Sequence, residues 1–227
     1  NRPYVMKHHY QHLLQPNPLT DFLRSRQGTG YTKLFPQQHP LLNNWRFTML
    51  SATGFDLFDP ISIRRMPTDF QALIDALDDN VARLWQLGGV RYFVTFAEAL
   101  PQLNRMLPGE TEERLRFGLE RVQKTVLPSA RAPRHQQIMR VVEWINALPL
   151  YHLAPAWESF PETQEGGEAL LRKLGSPGFD PHHETLLFGD ISGSGGTGRV
   201  EVLKVSSVED RLRVELDAPG LLLRNVQ

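Results

Sequence analysis

The sequence of 227 residues contains no cysteine. A chain without cysteine forms no disulfide, offers no thiolate ligand to a metal ion and has no cysteine nucleophile. These three kinds of chemistry are therefore excluded within the chain. The absence is compatible with any cellular compartment.

An excess of charge of either sign is also missing, since Lys plus Arg and Asp plus Glu both number 25. The basic residues are scattered, whereas nucleic-acid binding requires an extended surface that neutralises phosphates. We therefore expect no nucleic-acid partner.

Long apolar segments are absent as well. No run of 18 apolar residues occurs, and the start NRPYVMKHHYQHLL lacks the basic and then apolar layout of a signal peptide. We expect that this polypeptide by itself neither spans a membrane nor carries an export signal. Its abrupt start suggests a piece excised from a longer protein.

The composition that is present is ordinary for a globular protein, with 41% hydrophobic and 22% charged residues. No internal repeat is visible, so we expect one domain or two closely packed ones. The patterns below predict a mixed α/β (α+β) fold with antiparallel strands at the C-terminal end. We predict an arm at 1–30, a mixed α/β domain at 31–188 with a helical insertion at 101–135, and an antiparallel β portion at 189–227 packed on it.

Helical spacing of apolar residues is clearest from Thr68 to Leu87, where Thr68 is a candidate cap and Gly88-Gly89 a terminator. Three further segments have helical patterning. They are TDFLRSR with Thr20 as the cap, ETEERLRFGLERVQKTV, and EGGEALLRKL ending at Gly175.

Strand patterning is strongest in VRYFVTF, directly after the two glycines. YTKLF, ETLLFG and three segments after residue 198 are also predicted strands. The segment RVVEWINALPLYHLA is ambiguous, because Ile138, Val141, Val142 and Ile145 fit a helix while its two halves fit strands around a turn. The residues alone leave both interpretations open.

The stretch FGDISGSGGTGRVEV contains Gly193, Gly195 and Gly198 in the spacing G-x-G-x-x-G. A dinucleotide-binding loop requires a helix to begin there, but the following residues alternate with period two, as in a strand. We therefore interpret the stretch as a flexible loop between strands. Ser192 and Ser194 lie in no strand-to-helix elbow, so a hydrolase nucleophile is not indicated.

Several histidines could suggest a metal site. His8, His9 and His12 form H-H-x-x-H, but the segment has no convincing helix and lacks the glutamate of H-E-x-x-H, so solvated histidines are the favoured interpretation. His182-His183 follows Asp-Pro in a turn, and adjacent side chains rarely converge on one metal. We predict no metal and no cofactor.

Aspartates and tryptophans supply the remaining candidates. Asp56 and Asp59 in GFDLFDP fit either paired acids for glycoside chemistry or turn residues, and turns are favoured. Trp85 lies beside the apolar face of a predicted helix and is expected in the core. Trp45 and Trp157 are candidates for stacking on a ligand, so the predicted ligand-binding residues are Trp45, Asp56 and Trp157. No catalytic residue is predicted.

Five phrases, taken in order, resemble one family. They are WRFTMLSATGFDLFDPISIRRMPTDFQALI, LGGVRYFVT, INALPLYHLAPAW, EALLRKLGSPGFDPHHETLL and VEVLKVSSVEDRLRVELDAPGLLLRN. Their order and spacing over roughly residues 31–227 are similar to those of the YfhO-like bacterial membrane proteins, multi-spanning envelope proteins of the GT-C class of lipid-linked glycosyltransferases. Leu150 stands where that family often has Arg, and residues 101–135 are longer than usual.

The resemblance favours two strands in RVVEWINALPLYHLA, because the corresponding family phrase forms consecutive strands. It also implies an extracytoplasmic portion near the end of a larger membrane protein, with its membrane helices absent. GT-C enzymes place a catalytic acid in an early loop between membrane helices, so the resemblance assigns no catalytic residue to this chain. It implies the protein's own transmembrane region, an envelope glycan or a polyprenyl-phosphate sugar as partners.

Two main hypotheses follow. The first is an accessory extracytoplasmic domain of a YfhO-like protein that supports glycosyl transfer by positioning the acceptor or a partner. The second is a self-contained glycan-binding or protein-interaction module of the bacterial envelope, with Trp45 or Trp157 as its platform. A hydrolase that uses Asp56 or Asp59 is a third, weaker hypothesis.

Overall fold

The computed structural model describes residues 16–26, 33–36, 53, 56–58, 67–107, 109–122, 125–130, 138–191, 195–204 and 209–224. The α-helices are α1 (Pro18–Ser25), α2 (Thr68–Ala76), α3 (Val81–Leu87), α4 (Leu100–Met106) and α5 (Gln164–Gly175). Short 3₁₀ turns cover Asp78–Asn80 and Ala97–Ala99. The strands are β1 (Lys33–Pro36), β2 (Asp56–Leu57), β3 (Val90–Phe96), β4 (Thr111–Val122), β5 (Thr125–Ser129), β6 (Ile138–Trp144), β7 (Tyr151–Ala154), β8 (Trp157–Phe160), β9 (Thr185–Phe188), β10 (Gly198–Lys204), β11 (Arg211–Leu216) and β12 (Leu221–Arg224).

The chain forms two compact units, and each is discontinuous in sequence. Unit 1 contains residues 1–59 and 90–147, and unit 2 contains residues 60–89 and 148–227. The mixed α+β class with antiparallel strands near the C-terminus is confirmed. The sequence-based boundaries after residues 30 and 188 stay a prediction.

Unit 1 is built on a six-stranded mixed sheet in the order β2-β1-β3-β6-β4-β5. The β1 strand pairs in parallel with β2 and β3, and the pairs β3–β6, β6–β4 and β4–β5 are antiparallel. The two central strands, β3 and β6, are buried on both faces along most of their length. Burial on both faces explains why VRYFVTF is a nearly continuous apolar run.

The core of unit 1 forms around the pairing of β3 with β6. Phe93 and Trp144 are almost fully buried, with ring centroids 6.4 Å apart. The strand interpretation of RVVEWINALPLYHLA is thereby confirmed, since its halves form β6 and β7.

The helix predicted at ETEERLRFGLERVQKTV is wrong, because this segment forms strands β4 and β5. Leu115 and Leu119 fit a helical spacing, but together with Phe117 they also alternate with period two. In the sheet, Leu115 is opposite Val141 and Phe117 is opposite Met139. Pairing with the buried β6 strand therefore overrides local helix propensity.

The predicted helix at TDFLRSR is present as α1, but its cap is Asn17 and not Thr20. The Asn17 side chain accepts hydrogen bonds from the amides of Leu19 and Thr20, both at 3.1 Å. The Thr20 hydroxyl in turn accepts from the Asn17 amide, which completes a capping box with Pro18 as the first helical residue.

In unit 2, the helix predicted from Thr68 to Leu87 is broken into α2 and α3. Asn80 causes a new start, because its side chain accepts a hydrogen bond from the Arg83 amide at 3.1 Å. Thr68 makes no capping bond, since the residue before the helix is Pro67. The predicted end at Gly88-Gly89 is confirmed, and Gly89 has a positive φ of 66°.

The strands of unit 2 form three pairs. The β12–β7 and β10–β11 pairs are antiparallel, and β8–β9 is parallel, with α5 as the crossover between its strands. A parallel pair needs such a long connection. Lys173 of α5 lies 3.1 Å from both Glu158 and Glu184.

The glycine-rich stretch leads into strand β10, so the prediction that no helix begins there is confirmed. The interpretation as slack chain needs correction at three glycines that make close backbone contacts. A Cβ atom on Gly195 would lie 2.3 Å from the Ala154 carbonyl oxygen, and one on Gly198 would lie 2.0 Å from that of Glu215. Gly196 meets the Ala218 carbonyl in the same way. These glycines allow close chain crossing and do not cradle a phosphate.

Candidate functional site

The three predicted ligand-binding residues are described to different degrees. Trp45 lies outside the described residues. Asp56 begins β2, where its backbone is opposite Lys33, and its side chain lies outside the described part. Trp157, at the start of β8, is partly exposed. As a ligand-binding set, the three residues stay a prediction.

Trp157 lies on one face of the β8–β9 pair in unit 2, the face that Ser159 shares by alternation. We call this surface the β8–β9 patch and define it by Trp157, Ser159 and Ile191. The indole Nε1 of Trp157 donates a hydrogen bond to the Ile191 carbonyl at 3.1 Å, and the Ser159 hydroxyl donates to the same oxygen at 2.8 Å. Ile191 is 44% exposed. Phe188, which is opposite Phe160 in the register, lies on the other face of the strand pair. A partly exposed indole held by a hydrogen bond is a suitable surface for stacking.

The other tryptophans whose side chains are described lie in the protein interior. Trp85 is buried, as expected from the helix pattern, and so is Trp144. A row of several exposed tryptophans is therefore not present among the described residues.

The histidine candidates are described to different degrees. His8, His9 and His12 lie outside the described residues, as do Asp59, Ser192 and Ser194. Asp180 organises the turn at His182-His183, accepting from the His182 amide at 3.0 Å and lying 2.8 Å from the His183 ring. Partial burial favours a higher pKa for Asp180, but these hydrogen bonds outweigh burial and hold its pKa below the usual range.

Among the residues that the structure describes, the buried charged residue is Glu143. It is the centre of what we call the Glu143 network of unit 1, formed by Glu143, Arg91, Arg114 and the exposed Glu112. Arg91 lies on β3, Glu143 on β6 and Arg114 on β4, so three neighbouring strands contribute. Arg91 Nε and Nη2 lie 2.8 Å and 2.6 Å from Glu143 Oε1. Arg114 Nε donates to Glu143 Oε2, and its Nη1 donates to Glu112.

Irregularities in the sheet position both arginines. The register between β1 and β3 shifts at Arg91, and that between β4 and β6 shifts at Arg114. A bulge turns a side chain to the face opposite to the one that strict alternation would give it. Arg91 also donates from Nη1 to the Ile145 carbonyl at 2.9 Å.

The environment keeps Glu143 ionised. Burial by itself favours a higher pKa for this carboxyl, but hydrogen bonds from Arg114 and Arg91 and their positive charges outweigh burial and lower its pKa. Both carboxylate oxygens are occupied by guanidinium groups. The Glu143 carboxylate is suited to cross-linking three strands and poorly suited to proton transfer. Its pKa is lowered, and both of its oxygens already accept hydrogen bonds from arginine.

Tyr92 extends the network. Its side chain is buried, and Tyr92 is opposite Glu143 in the β3–β6 register. Burial and the Glu143 charge raise the pKa of the Tyr92 hydroxyl. The Phe22 ring of α1 packs edge-on against the Tyr92 ring, with centroids 5.7 Å apart and planes at 88°. The helix is therefore anchored directly over the buried charges.

In unit 2, His152 is a titratable group with one buried ring nitrogen that is not hydrogen-bonded within the described residues. It is half-buried on β7, and its Nδ1 has no hydrogen-bond partner among the described residues. Burial and the nearby His182 lower the pKa of His152. The neutral imidazole is thus the stable form in the folded state.

A second polar group of unit 2 joins Tyr151, Asp210 and Arg224. The Tyr151 hydroxyl donates to Asp210 Oδ2, and Arg224 Nη2 lies 2.9 Å from the same oxygen. The Arg224 guanidinium also lies over the Tyr151 ring, 5.7 Å from its centroid. These contacts fasten β7 and β12 to the residue that precedes β11.

The β10–β11 ribbon, formed by Gly198–Lys204 and Arg211–Leu216, has two unlike faces. Val200, Val202, Leu212, Val214 and Leu216 share one face by register, and Arg199, Glu201, Arg213 and Glu215 share the other. Arg213 Nη1 lies 2.8 Å from Glu201. Val214 is 37% and Leu216 45% exposed. An exposed apolar strand face is typical of an interaction surface.

Sequence reasoning missed the Glu143 network and His152. Arg91, Arg114 and Glu143 are far apart along the chain, and only the strand order brings them together. His152 was contained in a predicted strand, but its burial has no sequence signal of its own. The ribbon was predicted as strands, and its alternation already indicated two unlike faces.

Comparison with known proteins returns no relative. No protein-family model, no curated protein and no solved structure matches the chain. In the described part of the chain, no helix combines the length and apolarity that a membrane crossing needs. Nor do the described residues contain a cluster of three or more His, Asp or Glu side chains able to hold a metal ion.

Proposed function

We propose that the chain is an accessory domain of a larger bacterial envelope protein of the YfhO type, supporting glycosyl transfer by positioning the acceptor or a partner. The observation that carries the proposal is the ordered set of five family-like phrases. Four of them fall on elements of the fold in chain order: the end of α3 with β3, then, after the segment from α4 to β6, β7 with the start of β8, then α5 with β9, then β10 to β12.

The distribution of charged side chains favours an accessory role and argues against independent catalysis. Among the residues whose burial is described, Glu143 is the one charged residue in the buried class, and two arginines occupy it. A general acid or base needs a proton affinity near the working pH and a free path to the substrate. Glu143 has a lowered pKa, and both of its oxygens are paired with arginines.

The proposal is tested with the full-length protein. The reading frame should encode, before the present residues, a series of apolar segments of about 20 residues each. Deleting residues 31–227 from that protein should abolish sugar transfer to the envelope glycan while binding of the polyprenyl-phosphate donor is retained. Unchanged transfer by the deletion variant, or a reading frame without such segments, contradicts the proposal.

A second candidate function is a glycan-binding or protein-interaction module that acts by itself, and the β8–β9 patch favours it. Trp157 combines partial exposure with an orientation fixed by its hydrogen bond to Ile191. Sugar rings stack on such surfaces through their apolar faces, and the fixed indole loses little entropy on binding.

Thermal unfolding of the purified chain with envelope glycans distinguishes this candidate. A glycan at about one hundred times its Kd should stabilise the folded chain by about 2.7 kcal/mol. Trp157→Ala should remove the stabilisation, whereas Met106→Ala, at an exposed apolar residue of unit 1, should retain it. Equal loss in both variants, or no stabilisation by any glycan, argues against recognition by the patch.

A further inference from the structure

The outer edge of β11, the side away from β10, has no strand partner among the described residues. In the part of the chain that the structure describes, β11 pairs with β10 alone. Five of its six residues are exposed, Leu212 being the exception. An unpaired strand edge is a template for another strand, and proteins either blunt it with charge or use it for binding.

The direction of the peptide groups along β11 follows from one hydrogen bond. The amide of Asp217, the residue after β11, donates to the Thr197 carbonyl at 3.1 Å, on the β10 side. Peptide groups alternate in direction along an antiparallel strand, so those of Leu216, Val214 and Leu212 point away from β10. These three residues can form a second ladder without losing a hydrogen bond of the ribbon.

The order of charges along this edge is self-complementary. Arg211 and Arg213 are followed by Glu215 and Asp217 on the charged face, two basic residues and then two acidic ones. When two copies of β11 pair antiparallel with Val214 opposite Val214, Arg213 is opposite Glu215 and Arg211 is opposite Asp217. Opposite charges in directly facing positions stabilise a strand pair.

The same register also matches the apolar face. Leu212 of one copy then faces Leu216 of the other, and the two Val214 side chains meet at the centre. A shift by two residues, with Arg213 opposite Arg213, brings like charges together. Charge, apolar contact and peptide direction thus select one register out of the neighbouring ones.

We propose that unit 2 associates with a second copy of this chain through β11, forming a two-fold symmetric four-stranded sheet in the order β10-β11-β11-β10. The contact is isologous, because each copy offers the same edge. It is also small and its ion pairs are exposed, so the association is weak, concentration-dependent and reduced by salt.

Sedimentation equilibrium of the full 227-residue chain tests this association. Between about 10 µM and about 1 mM, the range of weak specific contacts, the average mass should rise from 25.9 kDa toward twice that value. The dissociation constant should increase several-fold on raising the ionic strength from about 0.05 M to about 0.5 M, since screening acts on the exposed pairs. A constant mass of 25.9 kDa over the whole range overturns the proposal.

Val214→Pro is the first variant. Its missing amide is one that points away from β10, so the ribbon keeps its hydrogen bonds, and proline is tolerated at such an edge position. The dissociation constant should increase by at least about tenfold, while the circular dichroism spectrum and melting temperature stay close to those of the parent. Undiminished association of a folded Val214→Pro variant overturns the proposal.

Charge reversal separates contacts between copies from contacts within the ribbon. Glu201→Arg with Arg213→Glu keeps the pair within the ribbon but places two acidic residues opposite each other between copies, so association should weaken. Adding Arg199→Glu and Glu215→Arg restores opposite charges both within and between copies, so association should return. Failure of the fourfold variant to regain association, with a melting temperature equal to that of the twofold variant, contradicts the register.

Discussion

The two units handle charged side chains in opposite ways. Unit 1 places Glu143 between two arginines from neighbouring strands, away from solvent, whereas unit 2 exposes its Arg and Glu residues in rows along the β10–β11 ribbon. The buried group fixes how three strands of one sheet meet, since an unpaired charge there is strongly unfavourable. The exposed rows of charged residues have little effect on the free energy of unfolding, and they can contribute to the choice of a partner.

The largest expected difference between the units comes from removing one carboxylate in each. Glu143→Ala leaves Arg91 partly buried without the Glu143 carboxylate and Arg114 with the exposed Glu112 as its partner, and unit 1 should lose about 3–5 kcal/mol of unfolding free energy. Glu201→Ala removes an exposed pair with Arg213, and the change should stay within about 1 kcal/mol. Urea unfolding followed by hydrogen exchange of peptides from each unit measures both values.

Equal losses for the two variants would mean that the buried network is no more important than a surface pair. Glu143→Gln helps to identify the cause. It keeps the shape and hydrogen-bonding capacity but removes the negative charge, so its stability should lie between those of the parent and Glu143→Ala.

A neighbouring pair of glycines in α5 tests how tightly unit 2 is packed away from its exposed ribbon. A Cβ atom on Gly166 would lie 2.0 Å from the Pro161 carbonyl oxygen, so Gly166→Ala should destabilise unit 2 by about 2 kcal/mol. At Gly167 the nearest atom would be 3.7 Å away on the Phe188 ring, so Gly167→Ala should stabilise the helix by about 0.5–1 kcal/mol. Thermal melts of both variants should shift in opposite directions, and a shift in the same direction refutes the packing argument.

Acid should weaken the two units in different pH ranges. The pKa of His152 is lowered by folding, so protonation favours the unfolded state, and unit 2 should lose stability as pH falls below about 6.5. The pKa of Glu143 is also lowered, so its contribution is present above about 4.3 and is lost as pH falls through the folded-state value.

Hydrogen exchange at a series of pH values checks this order. Unit 2 should open first, with a slope of at most about 1.4 kcal/mol per pH unit for one proton. His152→Gln should flatten the slope above pH 5 or so, where Glu143 does not yet titrate. A slope unchanged by His152→Gln would assign the acid sensitivity to other groups.

Helix caps provide the smallest expected difference. Asn17 accepts two amide hydrogen bonds and takes part in a capping box, whereas Thr163 of α5 accepts one from Gly166 at 3.1 Å. Asn17→Ala should therefore cost about 1 kcal/mol in unit 1, and Thr163→Ala about 0.5 kcal/mol in unit 2. Denaturant titrations resolve this difference, and a larger cost at Thr163 would contradict the argument from capping.

Local pattern was enough to predict β3, α5 and the strands that follow Gly198, because each has a clear period and a stop signal. It failed at β4, where Leu115, Phe117 and Leu119 satisfy both a helical and a strand period and only pairing with β6 decides. It also failed at Asn80, whose side chain begins a new helix inside an apparently continuous one.

The candidate site was less predictable than the fold for a physical reason. Trp157 was found because an aromatic residue outside a clear helical face is visible in a sequence. The Glu143 network was missed because Arg91 and Arg114 reach Glu143 only through shifts in strand register, and register depends on contacts distant in sequence. The charge order of β11 is visible in the sequence, but it indicates an interaction only because β11 pairs with β10 alone in the described part of the chain.

The interleaved connectivity of the units has a consequence for biosynthesis. In unit 1, β1 pairs with β3, yet residues 60–89 of unit 2 are translated between them, and β3 in turn needs β6 beyond them. Neither unit is therefore complete before most of the chain has left the ribosome. This order favours late folding of both units over folding one domain at a time. A chain truncated at one point contains a piece of the other unit beside any complete one. A nascent chain stalled before residue 144 lacks part of β6 and should remain sensitive to protease throughout.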